Sequence, residues 1–593
     1  MISTLHKPNE IPEKQYRFDA FANGEVLLNK KKNRLPAMGW NSWNAFGSGN
    51  TAELTKAMAD KIVELGLKDL GYSYVVLDDG CYKTERVHGE LSNEEVKFPE
   101  GFKALSDYVH NKGLKFGMYN DIGTNLCAGA AVGTCGHEDV DGRSYIEWGI
   151  DFLKVDNCYY LWDNATFSAG TNAKYTYAPN IRAVRLCGPA YETCLLAVKD
   201  GVLTGQGCRV QDDYVTNIGT FDGTNVGTTP IGIRSGELEF WVEVPEEGEY
   251  ELSVTYATGE EPGCGGWLQL AVGENVFFDE MLPATETKET FAESAPIRVS
   301  LRAGKNCIRV MNHRRQENTL LSYAALLDEL NKANPEHDIV FSICEWGKTQ
   351  PHNWGYKVGD SWRVLNDITF CVGSDGNPGR GTWFDRGTAS VTSQYDKAVV
   401  MDEFAGLDRG WNDPDMLMIG MDGMTDVMNK THMTMWCMMN SPLMLGLDLR
   451  RVTVGDKLHR IIANEDLIAL NQDALGIQAK RVFTTIETDA PDKDYITNHN
   501  RCDILAKPLA DGSVALSFIN VNDKEFDGKL HISVETILDM LGEKMVNAEV
   551  FKNAGRYVVT DLWSKEMTEN STGVFEVSGL AACDNVTLRI MPE

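Results

Sequence analysis

Basic residues are scarce in this chain. Among 593 residues, 56 Lys and Arg stand against 86 Asp and Glu, a formal net charge of −30. Nucleic acid and anionic membrane surfaces are recognised by basic patches, so neither is expected as a partner. No apolar run is long enough to span a bilayer, and the first residues, Met1-Ile-Ser-Thr-Leu-His-Lys-Pro-Asn-Glu, lack the apolar core of a signal peptide. A cytoplasmic protein is expected, or a secreted one if a leader has been removed; sequons such as Asn164-Ala-Thr matter only with export. The fourteen cysteines contain no C-x-x-C pair and no zinc-type His/Cys spacing, so no metal and no cofactor is expected. There is no repeat of 20–50 residues and no low-complexity tract.

What the chain does have is 43% hydrophobic and 9% aromatic residues, enough for several packed cores. From residue 36, short β-rich runs alternate with helical patterns. Leu54, Met58, Ile62 and Leu65 share one helical face ahead of the run Tyr72-Ser-Tyr-Val-Val-Leu-Asp-Asp. Phe102, Leu105 and Val109 repeat the pattern before Leu114-Lys-Phe-Gly-Met-Tyr-Asn-Asp, and a third strand reads Ile150-Asp-Phe-Leu-Lys-Val-Asp-Asn. Strand–helix repetition of this kind favours a parallel sheet with helices outside.

After residue 160 the period changes to two. Leu238, Phe240, Val242 and Val244 alternate with Glu239, Trp241 and Glu243, and Tyr250, Leu252, Val254 and Tyr256 alternate again beyond a Pro-Glu-Glu-Gly turn. Ile297, Val299, Leu301, Ile308 and Val310 continue it. Helical spacing returns at Leu320, Tyr323, Leu327 and Leu330, and later runs end at Cys344-Glu, Asn366-Asp367, Trp411-Asn-Asp-Pro-Asp and Ser441-Pro-Leu-Met-Leu-Gly. Counted from Ala37-Met-Gly-Trp, the α/β series reaches eight strands, the number that closes a (β/α)8 TIM barrel. Beyond about residue 482 the helical pattern fades, and Asp511-Gly512 signals a hairpin. The expected organisation is an N-terminal extension (1–35), a barrel in two parts (36–162 and 317–481), an inserted β-sandwich (163–316) and a C-terminal antiparallel β-sandwich (482–593).

The polar residues cluster at the ends of the apolar strands: Asp78, Asp79, Tyr119, Asp121, Lys154, Asp156, Glu345, Asp367 and Asp415. In a barrel those ends converge on one face, and that face carries the site. One such carboxylate can be a helix cap, but so many converging on one mouth form a pocket. Carboxylates accept hydrogen bonds from paired hydroxyls, and Trp43 or Trp346 can stack on a pyranose face, so the pocket suits a sugar. Glycoside hydrolysis needs two carboxyl groups, about 5–5.5 Å apart for retention and wider for inversion. The pattern alone does not say which two.

Six ordered blocks supply a resemblance: Met38-Gly-Trp-Asn-Ser-Trp, Leu77-Asp-Asp, Lys154-Val-Asp-Asn-Cys, Cys344-Glu-Trp-Gly, Trp362-Arg-Val-Leu-Asn-Asp-Ile and Gly410-Trp-Asn-Asp-Pro-Asp-Met-Leu. With Asn471-Gln-Asp-Ala-Leu-Gly-Ile-Gln, they resemble glycoside hydrolase family 27, the α-galactosidases and α-N-acetylgalactosaminidases, over about 36–160 and 317–480. The resemblance implies a retaining exo-α-galactosidase with Asp156 as nucleophile and Asp367 as acid/base. It implies that Asp78 and Asp79 bind the O4 and O6 side, that Lys154 and Arg363 contact other hydroxyls, and that Trp43 and Tyr119 form walls. Asp415 and Met416 line the floor or order its surroundings. Glu345 matches the members that read a free 2-hydroxyl, which favours galactose over the N-acetylated sugar, while β-L-arabinopyranose stays open as an alternative. A non-catalytic sugar binder is the alternative of another class, and the presence of both Asp156 and Asp367 speaks against it.

Two departures from the family stand out. The usual Asp-Asp-Cys-Trp is replaced by Asp78-Asp-Gly-Cys-Tyr, and the cysteine that would pair with Cys81 gives way to Phe46-Gly-Ser. Cys127 and Cys158 match the family's second bridge. The insertion, with Ile218-Gly-Thr-Phe-Asp-Gly and Trp267, resembles a galactose-binding carbohydrate-binding module; the plainer reading is a structural module, a wall or a subunit interface of a homo-oligomer.

Overall fold

The computed structural model describes residues 28–29, 33–159, 178–205, 207–219, 225–226, 229–230, 236–259, 265–273, 275–369, 371–385 and 389–593. Most of the expected N-terminal extension, Asn164 and the segment from Thr220 of the Ile218 motif lie outside them. The chain divides into two compact units, one built around 159–322 with 348–350 and one holding the remaining described residues.

In the larger unit, eight strands form one parallel sheet: β1 (Met38–Asn41), β2 (Tyr74–Val76), β3 (Lys115–Asp121), β4 (Phe152–Asp156), β5 (Val340–Cys344), β6 (Ser361–Arg363), β7 (Trp411–Asp413) and β8 (Leu443–Leu445). They pair in sequence order from β1 to β7, and β8 returns to β1 with Met38 opposite Leu443. A parallel bridge from Leu417, just beyond β7, to Leu445 of β8 closes the circle. This is the (β/α)8 barrel. Tyr74, Val76, Phe152, Val340, Met416 and Met444 pack together, so side chains fill the space the strands enclose.

The outer helices follow their apolar spacing. Helix α1 (Ala52–Glu64) buries Leu54, Met58 and Ile62, and Thr51 starts it by accepting from the Leu54 amide at 3.2 Å. Helix α2 (Gly101–Asn111) buries Phe102, Leu105 and Val109. Helix α3 (Glu138–Trp148) follows β3, and α4 (Arg314–Ala333) precedes β5. Tyr323 of α4 donates to the Val155 carbonyl at 3.2 Å and so reaches the strand that ends in Asp156. Helix α5 (Val391–Ala398) and helix α6 (Asp426–Met438) follow β6 and β7.

Among the described residues the smaller unit holds two larger antiparallel sheets and a two-stranded one between Asn180 and Met311. Leu238, Phe240, Val242 and Val244 are buried, and Trp241 on the opposite face is 48% exposed, as a period of two requires. The C-terminal region has a six-stranded antiparallel sheet and a two-stranded one, with Pro508 opposite Val514 across the Asp511-Gly512 turn. It also contains two helices, Val534–Leu541 and Ala548–Asn553, where only strands were expected. Ser533 caps the first, and Ile537 and Leu541, one turn apart, bury its inner face.

The barrel and the C-terminal sheet are joined by buried polar groups. Arg501 is fully buried between Asp396 of α5 and Asp503, and Tyr395 donates to Asp503 at 2.9 Å. Trp383 donates its indole N–H to the Val521 carbonyl at 2.9 Å.

Barrel closure leaves little room at β1. A Cβ on Gly39 would lie 2.2 Å from the Tyr74 carbonyl oxygen, which β2 cannot withdraw without losing register. Gly39→Ala is therefore expected to destabilise the barrel by at least about 1–3 kcal/mol, the usual cost of overpacking, read as a lowered thermal unfolding midpoint.

Candidate active site

The C-terminal ends of the strands bring the candidate residues into one cleft. Its lining comprises Trp43, Asn44, Asp78, Asp79, Tyr119, Cys127, Lys154, Asp156, Arg363, Asp367, Asp415 and Met416. Ten of the twelve sugar-site candidates named from the sequence are in that lining. The other two, Glu345 and Trp346, follow β5: Glu345 is fully buried, and Trp346 has φ 59°, a left-handed conformation that a bulky side chain adopts only under constraint. Gly347 comes next, where a Cβ would meet the Val364 carbonyl at 2.1 Å, so this turn lies tight against the loop beyond β6.

Asp156 ends β4 and is 5% exposed. Tyr119 donates to its Oδ2 at 2.9 Å, and the Asn157 amide donates to its Oδ1 at 2.8 Å. Burial pushes the Asp156 carboxyl up to about 6; Lys154, the Asn157 amide and Tyr119 pull it back, and the charge of Asp367 adds to the rise. Lys154 and Asp156 are on one strand two residues apart, but the lysine's own partner is Asp78, at 2.8 Å from Nζ to Oδ2.

Asp367 lies in the loop four residues beyond β6. The apolar run read as ending at Asn366-Asp367 stops as a strand at Arg363. Its side chain is 38% exposed, and Arg363 Nη2 is 3.1 Å from Oδ1. Burial in the cleft raises this carboxyl as well, with Arg363 opposing and Asp415 reinforcing the rise. Asp415 orders the loop: its Oδ2 accepts from the Ile368 amide at 2.8 Å and pairs with Arg363 at 2.8 Å. Asp415 itself has φ 74°, tolerated by an aspartate, and its carbonyl accepts from the Trp436 indole at 2.8 Å.

Asp78 and Asp79 follow β2. Asp78 Oδ2 takes Lys154 and, at 2.9 Å, the Asn41 side-chain amide; its own backbone N–H donates to Ser42 Oγ at 2.9 Å. Asp79 accepts from the Gly80 amide at 2.6 Å and the Ala128 amide at 2.8 Å. Burial dominates and raises its carboxyl to about 6. Asn41 and Ser42 are functional neighbours that the sequence reading left without a role. The signal was there, since both are polar residues at the end of a buried strand within a quoted motif. Asp121 goes the other way. It is fully buried, and its two oxygens accept from the Gly123 amide at 2.6 Å and the Cys158 amide at 2.7 Å, so it holds loops.

Cys127 and Cys158 are disulfide-linked, with Cα atoms 5.1 Å apart. The bridge joins the residue before Ala128, whose amide holds Asp79, to a residue two beyond Asp156. Cys81 is a buried free thiol, and the contact that a second bridge would supply is made differently. Gly80 lies against Ser48, where a Cβ would come within 2.7 Å of the Ser48 Cα, and Lys97 donates to both the Ser48 and Gly80 carbonyls. Tyr82 turns into the core, donating to the Tyr119 carbonyl at 2.7 Å and packing edge-on against Phe102.

Residues 35–184 and 314–473 match the family model for alpha galactosidase A, and 499–590 match the alpha galactosidase C-terminal beta sandwich domain. The chain belongs to the α-galactosidase family. This is glycoside hydrolase family 27, the one its motifs resemble, and the family models leave residues 185–313 unmatched. Alpha-galactosidase A of Cellvibrio japonicus is 26% identical over 560 residues, covering 94% of this chain and 92% of the relative. The crystal structure of α-galactosidase I from Mortierella vinacea shares the fold with TM-score 0.58 at 22% identity, over 95% of this chain and 99% of that one. The Saccharomyces cerevisiae α-galactosidase solved with raffinose gives 0.57 at 20%, over 94% and 98%.

The Arg363–Asp415 pair generates a stability prediction. Asp415→Ala strips the buried guanidinium of its 2.8 Å partner and frees the Ile368 amide. A loss of about 3 kcal/mol in unfolding free energy is expected, the usual cost of leaving one member of a buried pair behind, measured by denaturant midpoint.

Proposed function

We propose that the protein is a retaining exo-α-galactosidase acting on terminal α-linked galactose in oligosaccharides or glycoconjugates, through Asp156 and Asp367. The observation that carries the reading is a pair of carboxyls in one cleft, one buried and one partly exposed, with unlike partners. Asp156 takes two hydrogen bonds from fixed donors and has Lys154 nearby, which favours its anion. Asp367 is more exposed and stands beside an arginine already paired with Asp415; both carboxyls are raised, so the pair can keep one proton, and the donors on Asp156 favour its residence on Asp367.

In the first step an Asp156 oxygen bonds to the anomeric carbon as the bond to the leaving oxygen breaks, and Asp367 passes its proton to that oxygen. In the second step Asp367 takes a proton from water, the water oxygen bonds to the anomeric carbon, and the ester to Asp156 breaks. Two inversions restore the starting configuration. Lys154, tied to Asp78, and Arg363, tied to Asp367 and Asp415, keep the surrounding acids in place for hydroxyl recognition. The Asp78–Asp79 pair suits the axial O4 and the O6 side, and Glu345 suits a free 2-hydroxyl.

Initial rates on nitrophenyl α-galactoside, α-N-acetylgalactosaminide and β-L-arabinopyranoside test the specificity; the galactoside is expected to dominate, and a faster arabinopyranoside would reassign the sugar. Asp156→Ala is expected to lose at least about 10³-fold in kcat, since the covalent route goes with it. Full activity in that variant would end the mechanism. Asp367→Ala should lose far more on raffinose than on the nitrophenyl glycoside, whose leaving group needs no proton.

The pH profile follows from the two carboxyls. The two acids feel one another and must carry one proton between them: kcat/KM declines on the acid side as the pair takes up a second proton, and on the alkaline side as it loses the one Asp367 must donate, giving a bell. A profile flat from pH 4 to 9 would contradict both roles.

A further inference from the structure

A second cavity lies between barrel helices and the C-terminal domain, within the larger unit. Its volume is about 730 Å³, inside the range of about 300–1,000 Å³ that small ligands occupy. The first two turns of α6 contribute Asp426, Val427 and Lys430, the helix Lys457–Ile462 contributes Lys457 and Arg460, and the C-terminal domain contributes Trp563 and Lys565.

The ring of Trp563 is half-buried and fixed. Its indole N–H donates to Thr434 Oγ1 at 3.1 Å, and Lys430 Nζ stands 5.6 Å from its centroid. Val427, Ile461 and Ala463 add apolar surface beside it. Three of the four Lys and Arg side chains in the lining are already paired. Lys430 pairs with Asp584 at 3.0 Å, Lys457 with Asp426 at 2.6 Å, and Lys565 with Asp466. Arg460 and Glu465 are exposed in the lining and make no ion pair among the described residues. A phosphate or sulfate needs unneutralised cations, and this site offers about as many acids as bases. An aromatic plate with paired donors and acceptors is instead the chemistry that takes a neutral polyhydroxylated ring: the apolar sugar face against the indole, its hydroxyls bridging the charged pairs.

We infer that this cavity is a second carbohydrate-binding site, taking a neutral oligosaccharide segment on Trp563 and separate from the catalytic cleft. In a polymeric substrate it would hold the chain to the enzyme without touching the scissile bond.

Electrophoresis through gels containing a neutral galactomannan measures this directly, in the Asp156→Ala background so that the polymer is not trimmed. The readout is mobility, so it stands whether or not the catalytic assignment does. Trp563→Ala is expected to raise the apparent Kd for the polymer at least about tenfold, as loss of a central aromatic anchor does. Arg460→Ala, an exposed position where folding is not at risk, is expected to weaken binding in the same direction. Each single variant in the otherwise native chain should hydrolyse nitrophenyl α-galactoside as the native chain does. An unretarded parent, or mobilities unchanged by both substitutions, would overturn the site. Retardation by dextran sulfate that depends on Trp563, with none by galactomannan, would overturn the neutral-sugar assignment.

Discussion

Five carboxylates and two cations share one cleft, and the structure around it depends on how that imbalance is held. Asp78, Asp79, Asp156, Asp367 and Asp415 line the same space as Lys154 and Arg363. Ionised carboxylates brought out of water repel one another and are costly to bury. Lys154 takes Asp78, and Arg363 is shared between Asp415 and Asp367. What remains is placed on backbone amides or driven toward protonation. Asp79 is held by Gly80 and Ala128, while Asp156 and Asp367 carry raised carboxyls.

That balance links the cleft to the barrel itself. The amides come from loops that must return to the mouth, and each loop has its own tie. The Cys127–Cys158 bridge and Asp121 hold the loops after β3 and β4. Lys97 and the bare backbone of Gly80 hold the loop after β2 against Ser48. Asp415 holds the loop after β6 through the Ile368 amide. Charge compensation and loop order are thus met by the same residues, which is why Asp415 matters to both stability and chemistry.

Much of this was legible in the sequence. Leu54, Met58 and Ile62 on α1, and the alternation of Leu238 to Val244, state their period plainly, and burial follows it. The strand ends marked the cleft because a parallel barrel points every strand the same way. The boundaries were less legible. The strand before Asp367 stops at Arg363, and the helix at Val534–Leu541 carries Val534, Ile537 and Leu541 at the same spacing as Phe102, Leu105 and Val109, but amid strand patterns on either side. Tyr82 stood where the family has Trp, and composition could not show that it turns inward to Tyr119 rather than outward to a sugar.

The sequence by itself determined the order of strands and helices, the interruption by a β module, and the residue types that meet at the mouth. It did so because hydrophobic period and strand direction are local properties. Only the tertiary structure decided which carboxylate receives which partner. Asp78 faces Lys154, Asp415 faces Arg363, and Asp121 receives the Cys158 amide, because these contacts join residues from 37 to 76 positions apart. No local pattern encodes them; they follow from barrel closure, which fixes the strand ends within hydrogen-bond reach of one another.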